Sequence, residues 1–279
     1  MTVFTRAEIK ERLQAKLDKR LPIIMGGAGI GLVAKMCDLA GIDIIMAYNT
    51  GPFRMDGHGS LSGYLAYGDS NAITLDLARH ILPVVKNTPV IGGIGAADPY
   101  RNIDALIDEM LAIGYSGITN VPTAGLYDGK FRRHIDATGL GYPKEVELIE
   151  KCNAKDVFTV AYVFNPEEAQ AMAAAGADII GAHVGLTIGG TIGAQEAMSL
   201  DEACKATEAM YEAAVKENPN VIVVSHGGPF EDAESVQYVF DRVPVHGYLG
   251  ASSIERLPVE KALKQVVAEF KGLKLTKRA

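Results

Sequence analysis

Val157-Phe158-Thr159-Val160-Ala161-Tyr162-Val163, followed by Asn165-Pro166 and then by Ala175-Gly176-Ala177-Asp178-Ile179-Ile180-Gly181-Ala182-His183, spells out one strand–helix–strand unit. Both apolar runs are continuous rather than alternating, as in a strand covered on both faces of a parallel sheet. Asn165-Pro166 reads as an N-cap with proline at the first helical position, and Gly176 as the residue that stops the helix. Ala40-Gly41-Ile42-Asp43 repeats that stop earlier in the chain.

Working outward, eight such apolar runs occur, at residues 22–25, 43–47, 89–93, 117–121, 157–163, 178–183, 221–225 and 245–249. Helical patterns lie between them. Ala203, Ala206, Met210, Ala213 and Ala214 recur at helical spacing, and Asp98-Pro99 and Leu257-Pro258 read as two more helix entries. Eight strands alternating with helices predict an α/β fold, a single (β/α)8 TIM barrel. It is expected as one domain over 1–279, with an N-terminal helix in 1–20 and the barrel in 21–271. An open doubly wound sheet is the alternative, but Gly26, Gly27, Gly29 and Gly31 miss the GxGxxG spacing of a dinucleotide site.

The connections are unequal. Long segments, 48–71, 122–142 and 184–199, follow the second, fourth and sixth strands. All three leave carboxyl ends of strands, the face on which these barrels carry their sites, and loops of this length are commonly functional.

A net charge of −7 and a pI near 5.4, with no basic run before the tail Lys271, Lys274, Lys277, Arg278, argue against nucleic acid as a partner. That tail reads as a solvated helix end. Cys37, Cys152 and Cys204 form no CxxC pair, which points to a reducing compartment and away from a zinc site. No apolar run reaches the roughly 18–20 residues of a membrane span, and residues 5–19 lack a signal-peptide pattern. A cytoplasmic location and a homo-oligomeric state are expected.

Candidates for chemistry sit at or just past strand ends. His183 and His226 close the sixth and seventh strands, which are neighbours in a barrel. Two imidazoles there can act as acid and base or ligate a divalent metal. Asn120 and Tyr162, with Asn49, are candidates to orient an enol or carbonyl oxygen. Gly27, Gly227, Gly228 and Gly250, with Ser252 and Ser253, supply backbone and hydroxyl donors for an anion. Arg54 can clamp a carboxylate or pair with Asp56. No strand contains Lys, so Schiff-base chemistry is not expected, no strand ends in Cys, and no GxSxG motif occurs.

Several long phrases resemble the phosphoenolpyruvate hydrolase-like barrel family, itself similar to indole-glycerol-phosphate-synthase-type barrels. They are Ala47-Tyr48-Asn49-Thr50-Gly51 with Arg54-Met55 and Gly59-Ser60-Leu61, Tyr67-Gly68-Asp69-Ser70-Asn71, Asp98-Pro99-Tyr100-Arg101, Asn120-Val121-Pro122-Thr123, His183-Val184-Gly185-Leu186-Thr187, Ser225-His226-Gly227-Gly228-Pro229, and Gly250-Ala251-Ser252-Ser253-Ile254-Glu255-Arg256-Leu257-Pro258. The resemblance implies a hydrolase or a carbon–carbon or carbon–phosphorus lyase acting on a small phosphorylated or carboxylated enol- or oxo-acid. The carboxylate cluster that holds magnesium in the phosphoenolpyruvate mutase superfamily is not evident, since Asp98 alone follows the third strand and reads as a helix cap. No cofactor is required by these patterns, and a divalent metal is compatible with them. The alternative is a sensing or signalling barrel without turnover. A separation of His183 and His226 beyond about 8 Å would favour it.

Overall fold

The eight strands close into one parallel barrel in which each strand pairs with the next and the last with the first. The computed structural model describes residues 2–276, so Lys277 and Arg278 of the expected tail lie outside the described residues. In chain order the elements are α1 (Arg6–Leu17), β1 (Ile23–Gly27), α2 (Gly31–Leu39), β2 (Ile44–Ala47), α3 (Thr50–Met55), α4 (Ser70–Ile81), β3 (Val90–Gly93), α5 (Ile103–Ile113), β4 (Gly117–Thr119), α6 (Gly129–Ala137), α7 (Pro143–Ala154), β5 (Phe158–Val163), α8 (Pro166–Ala174), β6 (Ile179–His183), α9 (Leu200–Glu217), β7 (Ile222–His226), α10 (Ala233–Phe240), β8 (Gly247–Gly250) and α11 (Ser252–Lys271).

The continuous apolar runs have the predicted cause. Outward residues such as Ile45, Ile180 and Val223 are buried beneath helices, and inward ones such as Met25, Met46, Val160 and Val224 fill the barrel. Helix α1 closes the amino-terminal end with Ile9 and Leu13, which join that interior cluster. A Thr5–Glu8 capping box starts α1, and Arg6 donates to Asp178 at 3.0 Å, tying the plug to β6.

Two helix entries are corrected. Asp98 caps no helix: α5 begins at Ile103 behind the N-cap Asn102, while Asp98 accepts from Tyr100 N, Asn71 and Arg101. Pro258 opens no helix either. It lies inside α11, whose first turn is Ser252–Glu255. The entry at Asn165-Pro166 is as read. Within the Gly26–Gly31 cluster, a side-chain carbon on Gly29 would fall on the Gly51 carbonyl, so the glycine there permits the loop after β1 to touch α3 backbone to backbone.

Candidate active site

The carboxyl end of the barrel changes character. Above the Met and Ile layers, β2 is followed by Tyr48, β5 contributes Tyr162, and β6 and β7 end in His183 and His226. The last two are register partners on adjacent parallel strands, and their ring centroids lie 4.7 Å apart. Tyr162 stands edge-on to His226 at 5.0 Å, and its hydroxyl lies 3.1 Å from that of Tyr48. These four side chains line a cavity of about 260 Å³, together with Arg54, Ser60, Thr123 and Ser252. The segment after β6 forms one wall through Gly185–Thr187 and Ile192–Ala194, and that after β2 forms another through Gly59–Leu61 and Tyr64.

Hydrogen bonding assigns opposite tautomers to the two imidazoles. The Gly185 N–H donates to His183 Nδ1 at 3.0 Å, so the neutral ring carries its proton on Nε2. His226 Nδ1 lies 2.6 Å from the Leu249 carbonyl, which only accepts, so His226 carries its proton on Nδ1 and leaves Nε2 with a bare lone pair. Burial, reinforced by His226, holds His183 well below the usual imidazole value. Burial, helped by the Arg54 charge, brings His226 down to about 4, against the Leu249 bond. Both rings are therefore neutral near pH 7, one presenting a donor and the other an acceptor.

Among the described residues Arg54 is the cavity's only cation, and no carboxylate lines the wall. Its partner is Glu255 of α11, not the exposed Asp56. Burial opposes the guanidinium charge, but the Glu255 carboxylate outweighs it and holds Arg54 protonated. Nη1 donates to Thr50 Oγ1 at 2.6 Å, while Nη2 is buried with no partner. Helix α11 starts beside it at Ala251 without a side-chain cap. Free helix N–H groups, a cation and a spare guanidinium donor together favour an anion.

The remaining predicted residues divide sharply. Of the anion-binding candidates, only Arg54 and Ser252 line the cavity. Gly27 packs its backbone against Ala251 and the Arg54 tip. Gly250 has Ser253 and Ile254 where a side chain would go, and Ser253 Oγ faces Tyr248 at 2.7 Å. Gly227 and Gly228, at φ 78° and 56°, lie against the Gly185 and Val184 carbonyls, so they shape the wall rather than cradle a ligand. Asn49 donates to the Gly63 carbonyl at 2.6 Å. Asn120 is removed from the orienting role, because its amide bonds Glu145, the Tyr162 carbonyl and the Tyr162 N–H and lies outside the cavity. Tyr48, which lines the cavity, and Glu255, which pairs with Arg54, are site residues that the sequence reading missed. Both stood inside the family phrases, but a partnership between residues 54 and 255 has no local signal.

The phosphoenolpyruvate hydrolase-like family model matches residues 8–273. The chain belongs to that family. It is 45% identical over 275 residues to the ToMV susceptible protein tm-1(GCR26) of Solanum lycopersicum, covering 98% of this chain but only 36% of that protein's length. Among solved structures, phosphoenolpyruvate phosphomutase from Streptomyces platensis subsp. rosaceus superposes with a TM-score of 0.62 at 16% identity, over 94% of this chain and 87% of that one. Phosphonopyruvate hydrolase, in a complex with oxalate and Mg++, gives 0.59 at 18% identity over 96% and 87%. At such identity these two share the fold.

The metal of that complex does not transfer readily. Magnesium takes oxygen ligands, chiefly carboxylates. Among the described residues no group of three or more His, Cys, Asp or Glu is placed to hold a metal ion. The nearby carboxylates are committed, Glu255 to Arg54 and Gly29 N, and Glu145 to Asn120 and Ala124 N.

Proposed function

We propose that this protein is an enzyme that binds a small enol- or oxo-acid anion in the barrel mouth and cleaves it by hydrolysis or by breaking a carbon–carbon or carbon–phosphorus bond. The observation that carries this reading is the pairing, in one cavity of about 260 Å³, of two neutral imidazoles in opposite tautomers with a buried arginine whose Nη2 has no partner. The substrate carboxylate or phosphonate sits at Arg54, Ser252 and the open start of α11. His226 Nε2 takes a proton, from water or from a substrate hydroxyl, and His183 Nε2–H gives one to the departing carbon or oxygen. The Tyr48 and Tyr162 hydroxyls stand where charge develops on an enolate oxygen. The walls after β2 and β6 keep bulk water away.

The 4.7 Å ring separation favours catalysis over sensing, since both imidazoles reach one small substrate. The test pairs binding with turnover. Oxalate, a small dianion, is titrated calorimetrically, and phosphonopyruvate and oxaloacetate are followed by NMR for product. The expected result is turnover by the wild type and its loss in His226→Ala with oxalate affinity kept within a few-fold. Oxalate binding without turnover of any tested oxo-acid would instead favour a sensing barrel.

A further inference from the structure

The cavity has two unlike sides, and closure of the barrel sets them opposite one another. Strands β8, β1 and β2 form one arc of the sheet, and β4, β5 and β6 form the arc that faces it. From the first arc come Thr50, Arg54 and Ser60 after β2 and Ser252 after β8. From the second come Val121 and Leu126 after β4, Phe164 after β5, and Leu186 and Ile192 after β6. Leu126, Phe164, Leu186 and Ile192 are only half-buried, so the second side keeps apolar surface uncovered. Its polar side chains besides His183 are the uncharged Thr123 and Thr187. The Tyr48 and Tyr162 hydroxyls, one from each arc, meet between the two sides, and the Phe164 ring lies 4.8 Å from that of His183.

Charge narrows what fits. Arg54 and the fully buried Glu255 sum to zero, and among the described residues no other charged side chain lines the cavity. One substrate carboxylate can take the free Nη2 of Arg54. A second negative charge would fall on the apolar side without a partner, where desolvating it is costly. An uncharged chain would instead cover the Leu, Phe and Ile surface there and gain by it. Bond breaking is narrowed too. No lysine lines the cavity among the described residues, so no imine draws electrons from the breaking bond, and a substrate that carries its own electron sink suits the site. A bond joining one carbonyl carbon to the α-carbon of a second carbonyl has that property. One fragment departs as an enolate, and the other carbon is open to water.

We propose, resting on the enzymatic reading above, that the substrate is a 2,4-dioxo acid with a single carboxylate at Arg54 and Ser252 and an uncharged alkyl or aryl tail against Leu126, Phe164, Leu186 and Ile192. His226 Nε2 takes a proton from water as the water oxygen bonds to the tail carbonyl. The bond from that carbon to the central methylene breaks, its electron pair passes into the 2-oxo group as an enolate, and His183 Nε2–H protonates the methylene carbon. His183 then takes the proton held by His226, whose ring lies 4.7 Å away, and both imidazoles end neutral. The products are the carboxylic acid that bears the tail and a three-carbon 2-oxo acid. One water is consumed, and nothing is oxidised or reduced.

Turnover is measured by NMR for 2,4-dioxopentanoate, 2,4-dioxoheptanoate and 2,4-dioxoheptanedioate, the last with the same chain length as the second but a charged end. The wild-type kcat/KM is expected to rise about fourfold for each methylene added to the uncharged tail. It should fall more than about tenfold when the tail ends in a carboxylate. Leu126→Lys, which gives the apolar side a cation, should narrow or reverse that preference. Leu186→Ala should lower kcat/KM for the heptanoate more than for the pentanoate, with circular dichroism as the check on folding. Equal kcat/KM for all three acids overturns the tail assignment. Cleavage of 4-hydroxy-2-oxoheptanoate without cleavage of any dioxo acid overturns the hydrolytic step. Turnover of phosphonopyruvate or oxaloacetate with none of the dioxo acids overturns the inference and leaves the enzymatic reading standing, whereas oxalate binding without turnover of any acid overturns both.

Discussion

The two ends of this barrel are made of different materials. At the amino-terminal end α1 inserts Ile9 and Leu13 over Ile23, Ile44, Phe158 and Ile179, and polar groups at its start are answered, Phe4 N just before it by Ser116 Oγ and Arg6 by Asp178. At the carboxyl end the layer is Tyr48, Tyr162, His183 and His226. The four buried side-chain polar atoms without a partner among the described residues, on Asn49, Arg54, Thr119 and Arg256, all lie at or beyond strand carboxyl ends. Orphaned buried polar atoms are costly, and among these four residues Arg54 lines the cavity. One end is built to stay shut and the other is left unfinished.

The largest way to break that contrast is Arg54→Met. It strands the fully buried Glu255 carboxylate, and chemical denaturation should show a loss of about 3–5 kcal/mol. Arg54→Met with Glu255→Gln should regain part of the stability and none of the oxalate affinity. Leu13→Ala at the closed end should cost roughly 2–5 kcal/mol, by transfer and cavity terms, yet leave oxalate affinity unchanged. Equal loss of binding there would erase the division between the ends.

The smallest effect is an acid limb. His226 titrates at about 4 when folded, against about 6.5 unfolded, so the unfolded chain takes up the proton first and stability falls as pH drops through that window. Alone this amounts to about 3 kcal/mol. Glu145 opposes it: burial raises its carboxyl to about 8, so its protonation favours the fold as pH falls from 8 toward 4.5. The net limb is shallower than His226 alone predicts. Comparing wild type with His226→Asn between pH 7 and 4 isolates the imidazole, and parallel curves would show that its burial carries no proton linkage.

Much of this was legible in the residues. Continuous Val- and Ile-rich runs can be satisfied only by strands covered on both sides, and the long connections after the second, fourth and sixth strands announced which rim to inspect. His183, His226, Tyr162, Arg54 and Ser252 were legible as strand-end or loop residues. Asn120 and the glycines after β7 looked equally eligible, but position along a strand does not say whether an amide is already saturated or whether a glycine is spent on packing. Asp98 and Pro258 misled for a related reason. A local capping pattern competes with an Asx turn in one case, and in the other with a helix already nucleated by buried residues before the proline.

By itself the sequence determined the periodicities, and through them the barrel and its open rim, because hydrophobic burial is summed along the chain. Only the tertiary structure decided which imidazole nitrogen holds a proton, that Arg54 answers to Glu255 from 201 positions away, and that residues 261–276 stand exposed after α11 has packed its first turns. Those are matters of a few ångströms between strands and loops distant in sequence, and chain order does not encode such distances until the barrel closes.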